Sequence, residues 1–319
     1  MSDLLSEEFS YSGLPTAPGI EAVNLRRSFG DVQAVADISF TAPAGAVTAL
    51  IGPNGSGKTT LLLMLSGLLA PDAGQASVAG LDVVTENLKV RERVGWMPDV
   101  FGTWDALTCV EILSTFAHAY GVSWADTAGR VSEVLELVHL SDFATRPARV
   151  LSRGQKQRLG LARALVHDPA VLLLDEPASG LDPRSRLELR GLLRSLAAGG
   201  KTILVSSHVL AELEELYDEA VFLSRGRTVD VTDHPSGTPP LRGWRLDALE
   251  PTELRAFLSG AGIPWESGSG SEVTVPLAGV ESATELIRAA VAAGVSLHTV
   301  APMSGRLEDT YLSLNEERV

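Results

Sequence analysis

The sequence predicts an α/β fold with a largely parallel central sheet, an antiparallel β subdomain at its start, a helical subdomain in its middle and a small α+β module at its end. Three observations predict it. Short continuous apolar runs bounded by turn residues recur along the chain ("AVTALIG", "AVLLLDEP", "KTILVSSH"), as fully buried strands do. Stretches with helical periodicity separate them, and that alternation builds parallel sheets. The chain has 319 residues, 45% of them hydrophobic, enough for one full-sized core and a second, smaller one.

Bulk properties narrow the setting. The formal net charge of -14 argues against nucleic acid or an anionic membrane surface as the main partner. The single cysteine, Cys109, allows no intramolecular disulfide, which fits a reducing compartment, and it reads as a small buried apolar residue. Residues 1–19 carry acids where a signal peptide needs bases, and they are expected to form a flexible tail. The longest apolar stretches, such as "LLLMLSGLLA", are about half the length that spans a bilayer.

Taken in order, "AVNLRRSF" and "AVADISFTA" read as antiparallel strands, and "AVTALIG" as a buried central strand that leads into a helix after Thr59. From about 100 to 166 the pattern is helical, an insertion between two strand-rich blocks. Within it, "TCVE" at Thr108–Glu111 is a capping-box pattern, and helices are expected at roughly 124–138 and 153–166. "AVLLLDEP" returns to a buried strand. A helix at about 183–198, the strand "KTILVSSH", the helix "VLAELEELYD" and the hairpin "EAVFLSRGRTVD" complete a domain spanning 20–232. A Pro/Gly-rich linker at 233–242 precedes a module at 243–319 whose order, βαββαβ plus a final helix, is ferredoxin-like.

The stretch "GPNGSGKTTLL" fits G-x-x-x-x-G-K-[ST], the P-loop pattern, between a strand and a helix. Phosphate oxygens need several backbone N–H groups at close range, so side chains must be absent at Gly52, Gly55 and Gly57. The helix start adds the positive end of its dipole. Lys58 supplies a point charge to the β- and γ-phosphates, and the Thr59 hydroxyl is offered to Mg²⁺. The candidate nucleotide cradle is therefore Gly52, Pro53, Asn54, Gly55, Ser56, Gly57, Lys58, Thr59 and Thr60. Downstream, "VLLLDEP" ends an apolar strand with two carboxylates. Asp175 is the natural anchor for Mg²⁺, and Glu176 is placed to orient or deprotonate a water attacking the γ-phosphate.

Between these motifs lies "LSRGQKQRLGLARAL", Leu151–Leu165. Together with the P-loop, "LLLDEP", "SGLD" (Ser179–Asp182) and "SSH" ending at His208, in that order, it makes residues 20–232 resemble the ATP-binding subunits of ABC transporters. The resemblance implies a P-loop NTPase fold of the ABC ATPase type, with ATP and Mg²⁺ as cofactors. It implies that Phe29 stacks on adenine and that Ser152, Gly154 and Gln155 form the signature that meets the γ-phosphate held by an opposite subunit. Asp182 is then the acid of the inter-subunit loop, and His208 contacts the γ-phosphate and holds Glu176 and water in place. Two positions depart from the family pattern. Arg153 replaces a signature glycine, at a position that varies in the family. Asp99 stands where the family has glutamine; it could still meet Mg²⁺ or water, but it only accepts hydrogen bonds when ionised and adds negative charge. The ending "GRLEDTYLSL" resembles the ABC-2-type exporter branch.

One P-loop and one signature per chain imply a head-to-tail dimer, homodimeric or with a related ATPase subunit, if each site takes one motif from each of two chains. The expected partner is a separately encoded membrane permease, and the expected location is the inner face of the cell membrane. A soluble ATPase of the same superfamily acting on ribosomes or DNA remains the alternative reading. A hydrolysis-dead regulatory subunit is a third, supported only by Asp99.

Overall fold

The computed structural model describes residues 18–100, 102, 104–207, 217–229, 242–268 and 270–302. The described residues fall into two compact units that part after Val229. The first begins with β1 (Pro18–Phe29) and β2 (Val32–Pro43), an antiparallel pair, then β3 (Val47–Ile51) and α1 (Lys58–Leu65). Next come β4 (Ala73–Val78), β5 (Leu81–Asp82), α2 (Asn87–Arg93) and β6 (Val94–Met97). The helical block follows as α3 (Cys109–Ala119), α4 (Trp124–Leu137) and α5 (Arg153–Leu165). The unit closes with β7 (Val171–Asp175), α6 (Pro183–Ala198), β8 (Thr202–Ser207), β9 (Glu219–Ser224) and β10 (Arg227–Val229).

These ten strands form one sheet in the order β5-β4-β1-β2-β10-β9-β3-β8-β7-β6. The strands β9, β3, β8, β7 and β6 pair in parallel, and every residue of β3, β7 and β8 is buried, which is why each reads as a predominantly apolar run. The antiparallel part joins this core through β10, which pairs antiparallel with β9 and touches β2 through Arg227 and Asp37. Gly52, Glu176, Ser207 and Pro98 thus emerge at or just past the same, C-terminal, edge of the parallel strands, where open α/β sheets bind ligands.

Helix ends follow local chemistry. Thr108 and Glu111 make the predicted capping box on α3, and Ser123 caps α4. Two short 3₁₀ turns, Ser141–Phe143 and Ala148–Val150, lead to α5. Val131, Val134 and Leu135 of α4 are buried, as a helical stripe requires. The sequence reading did not resolve β4, β5, α2 and β6. In β4 only Ala76 and Val78 are buried, too weak an alternation to stand out, and pairing with β1 defines the strand. Strand β1 also opens at Pro18, inside the expected tail, because Pro18 already faces Pro43 across the ladder.

The second unit contains β11 (Arg242–Ala248), α7 (Pro251–Gly260), β12 (Glu266–Ser267), β13 (Val273–Leu277), α8 (Val280–Ala292) and β14 (Leu297–Pro302). Its four strands are antiparallel in the order β12-β13-β11-β14. Leu254 and Leu258 of α7, with Ala283, Leu286 and Ala290 of α8, pack on Trp244, Leu246, Val273 and Val275. That cluster is separate from the one around Ile20, Leu61, Met64 and Leu173, so each unit has its own core. The expected helices after "SSH" and at the end of the chain fall almost wholly outside the described residues, as do residues 1–17 of the tail and 233–241 of the linker.

One half-buried ring is expected to set an acid limit on the fold. His167, just past α5, stacks on Tyr120 with ring centres 3.7 Å apart, and its Nε2 lies 3.1 Å from the Val94 carbonyl oxygen. Burial pushes its pKa from 6.5 down to about 4. The unfolded chain therefore takes up a proton that the folded one refuses. The stability contributed by the neutral ring is complete above about pH 6.5 and is lost as pH falls through about 4. Thermal melts over this range should fall more steeply for the wild type than for His167→Phe, which keeps a ring on Tyr120. Parallel curves would mean that another group sets the acid limit.

Candidate functional site

The site begins with the loop between β3 and α1. A Cβ on Gly52 would sit 2.5 Å from both the Leu223 carbonyl oxygen and Ser56 Oγ. Gly57 has φ of 100°, and a Cβ there would lie 2.6 Å from the Ala34 carbonyl oxygen. Side chains at these two positions would push the loop off the sheet, so the glycines fix its path as well as leaving its backbone bare. Gly57 is also the N-cap of α1, and no side chain caps that helix start. Its first N–H groups stay available to an anion. The loop is tied to the hairpin of β9 and β10 by a hydrogen bond from Gly226 N–H to the Ser56 carbonyl, 3.1 Å.

Lys58 is only 7% exposed. Its Nζ donates to the Gly52 carbonyl at 2.7 Å and lies 4.0 Å from Glu176 Oε1. Burial lowers its pKa below the ordinary lysine value, and the Glu176 and Asp175 carboxylates oppose that shift. Thr59 Oγ1 donates to Asp175 Oδ2 at 2.7 Å, and Ser206 Oγ donates to Asp175 Oδ1 at 2.5 Å. The Glu176 N–H in turn donates to Ser206 Oγ at 3.0 Å. Asp175, 2% exposed, is therefore fixed from two sides while Thr59 remains exposed. Glu176 adopts φ of 50°, a left-handed conformation that costs a non-glycine residue roughly 1–2 kcal/mol. That strain turns the chain at the strand tip, where active-site residues commonly store it.

A second cluster lies at the start of α5. Ser152 Oγ accepts from Gln155 N–H at 3.2 Å, while Gln155 Oε1 accepts from Ser152 N–H at 2.8 Å. This capping box leaves the helix start facing an open groove of about 530 Å³, lined by Ser152, Gly154, Gln155, Gly180 and Asp182 among others. Asp182 caps α6, accepting from the N–H groups of Arg184 and Ser185 at 3.1 Å each and from the Ser185 hydroxyl at 2.7 Å. Those bonds, the Ser185 hydroxyl foremost, hold its carboxyl below the usual range.

The structure thus gathers Lys58, Thr59, Asp175 and Glu176 around the loop, and separately gathers Ser152, Gly154, Gln155 and Asp182. No P-loop residue lines the second groove. Phe29 ends β1 half-exposed, with the Arg27 guanidinium 5.0 Å from its ring centre. The hairpin that follows it leads to Ala34, whose carbonyl abuts Gly57. Asp99 is exposed just past β6, and no described contact joins it to Thr59 or Asp175. His208 lies outside the described residues. Ser206 was missed in the sequence. Its only signal there was its place among the hydroxyls that close an apolar run, and the register that sets it opposite Asp175 comes from strand pairing.

Comparisons with known proteins converge. The ABC transporter family profile matches residues 35–179. Over 216 residues the chain is 43% identical to the Nod factor export ATP-binding protein I of Burkholderia lata, covering 68% of this chain and 71% of that protein. Over 308 residues it is 32% identical to the daunorubicin resistance ATP-binding protein DrrA2 of Streptomyces coeruleorubidus, covering 94% and 95%. Among solved structures, the ATP-binding subunit of an ABC transporter superposes with a TM-score of 0.60 at 30% identity, covering 66% of this chain and 87% of that one.

Gly57→Ala should be the most damaging alanine substitution in the loop, since it combines positive φ with a carbonyl 2.6 Å from the new Cβ. Titration with a fluorescent ATP analogue should show affinity reduced more than about tenfold, the equivalent of 1.4 kcal/mol. Gly55→Ala, with φ of 81° but nothing within 4 Å, should lose less.

Proposed function

The chain belongs to the ATP-binding subunits of ABC transporters, ATPases that work with a membrane partner, and on that premise we propose how its own residues drive export. The observation that carries the proposal is the buried group of Lys58, Asp175 and Glu176 beside an uncapped helix start. The loop N–H groups and Lys58 bind and orient the triphosphate, and the exposed Phe29 ring offers a stacking face to the base. Thr59 and Asp175 would hold Mg²⁺. A hydroxyl and a carboxylate are the hard oxygen donors that this ion takes, and Oγ1 and Oδ2 already lie 2.7 Å apart. When bound, the ion would neutralise phosphate charge.

Glu176 accepts the proton of the attacking water. The water oxygen bonds to the γ-phosphorus while the bond to the bridging oxygen breaks, leaving ADP and phosphate. His208 is assigned to the same step by its place in the motif order. Ser152, Gly154 and Gln155 serve the γ-phosphate of a second subunit, because the signature groove of one chain contains none of its own P-loop residues. ATP then holds two subunits together and hydrolysis releases them, shifting the membrane partner between states.

Export is supported by the likeness to Nod factor export ATP-binding protein I. The match to DrrA2 runs through the second unit, so that module is shared with a daunorubicin resistance ATP-binding protein. No described helix is long and apolar enough to cross a membrane; the path for substrate is assigned to a separate integral membrane permease, on which this chain docks at the inner face. For its docking, a cavity of about 150 Å³ is lined by Trp96, Phe116, Tyr120, Arg91 and Arg163. An apolar segment bearing a carboxylate suits it.

Glu176→Gln should reduce ATP turnover about 10²- to 10⁴-fold and trap an ATP-bound dimer on sizing chromatography. A strictly monomeric profile at saturating ATP with the permease present would overturn the two-subunit site, and unchanged turnover would overturn the role of Glu176. Separately, Arg91→Glu should weaken co-purification with the permease while ATP affinity stays within twofold; unaltered co-purification would remove this cavity from the docking surface.

A further inference from the structure

We propose that Arg153, which stands where the signature pattern has glycine, is a positioning residue that ties the start of α5 to the turn carrying Glu176 in the same chain. The inference rests on the two-subunit reading above. Three observations carry it. Arg153 Nη2 donates to Ser179 Oγ at 3.1 Å. Ser179 N–H donates to the Glu176 carbonyl at 3.0 Å and so closes the turn that follows the catalytic carboxylate. The side chain of Arg153 lies against Gly180, where a Cβ would fall 2.5 Å from Nε and 2.6 Å from Cζ. Gly180 has φ of 73°, so a glycine suits both the turn and the approach of the guanidinium. Bulk gained at position 153 thus fits the space left bare at position 180.

A second arginine of α5 reinforces the join. Arg158 Nη2 donates to Ser185 Oγ at 3.1 Å and to Glu188 Oε2 at 2.6 Å. Ser185 donates onward to Asp182. The helix start and the segment from Glu176 to α6 are therefore held together at both ends of the turn.

The consequence is mechanical. In the two-subunit reading, the start of α5 meets the nucleotide bound by the partner, whereas Glu176 acts on the nucleotide bound by its own chain. The Arg153–Ser179–Glu176 connection runs between these two places within one chain. Docking of the helix start on one nucleotide then biases the turn that sets Glu176 at the other, so hydrolysis at the two sites is coupled. A glycine at position 153 has no side chain with which to make this tie.

The test uses the full chain assembled with its permease in lipid vesicles. ATP turnover is measured against ATP concentration for wild type, Arg153→Gly, Ser179→Ala and the double variant. Each single variant should lower kcat roughly threefold to tenfold, as loss of a typical solvent-exposed hydrogen bond does, and should lower the Hill coefficient relative to wild type. KM should stay within twofold. The double variant should be no worse than either single one, because both remove the same contact. Arg153→Lys, which keeps a donor, should recover part of kcat. Wild-type kcat and Hill coefficient in Arg153→Gly, or additive losses in the double variant, would overturn the tie. A loss confined to KM would also overturn it, since it would mean that Arg153 binds nucleotide directly. These outcomes are distinct from failure of Glu176→Gln to dimerise, which would remove the two-subunit site itself.

Discussion

Two adjacent carboxylates buried at the tip of an apolar strand are the constraint on which the rest of this site depends. Taking a carboxylate out of water costs several kcal/mol unless partners replace the lost hydration. Asp175 is 2% exposed and Glu176 9%, so both needed partners, and the fold supplies different ones. Asp175 receives hydroxyls from α1 and from β8. Glu176 turns back through a left-handed residue toward the ammonium of Lys58, itself buried and facing the loop carbonyls. Removing one member leaves another charge buried and uncompensated. Loop, strand tip and neighbouring strand are in this sense one electrostatic unit.

That unit sits where it does because the parallel strands end together. β3 delivers the loop, β7 the acids and β8 the hydroxyl, and their ladders fix the relative heights. In the proposed two-subunit site the helical block carries the other half of the chemistry, at the start of α5 with its capping box. Both halves use the same physical device, a helix N-terminus with N–H groups turned toward an open space, but they differ in how that end is treated. At α1 no side chain caps it; at α5 Ser152 and Gln155 satisfy part of it and set its direction.

Residue 153 shows how a departure from a family pattern acquires meaning only in three dimensions. In the sequence it is a substitution at a variable position. In the fold its guanidinium finds a hydroxyl and a bare α-carbon in the turn after Glu176. Asp99, the other departure, shows no comparable contact among the described residues. The second unit has its own core around Trp244 and Leu246, and the match to DrrA2 extends over it.

What the sequence determined by itself was whatever local spacing encodes. Gly52 to Thr59 announced a glycine-rich turn between a strand and a helix, "VLLLDEP" the acidic strand end, and "TCVE" a capping box that the structure reproduces. The order of motifs was enough to place the chain in its family, and the βαββαβ order foretold the second module. Strand β4 escaped notice because its burial is slight and its partner is β1, some fifty residues earlier in the chain. The tertiary structure alone decided who meets whom. Thr59 and Asp175 are 116 positions apart, Arg153 and Ser179 are 26, and Ser206 is assigned to Asp175 only by the register of β7 against β8. Register is set by packing two buried strands into one sheet, and no window of sequence carries that information.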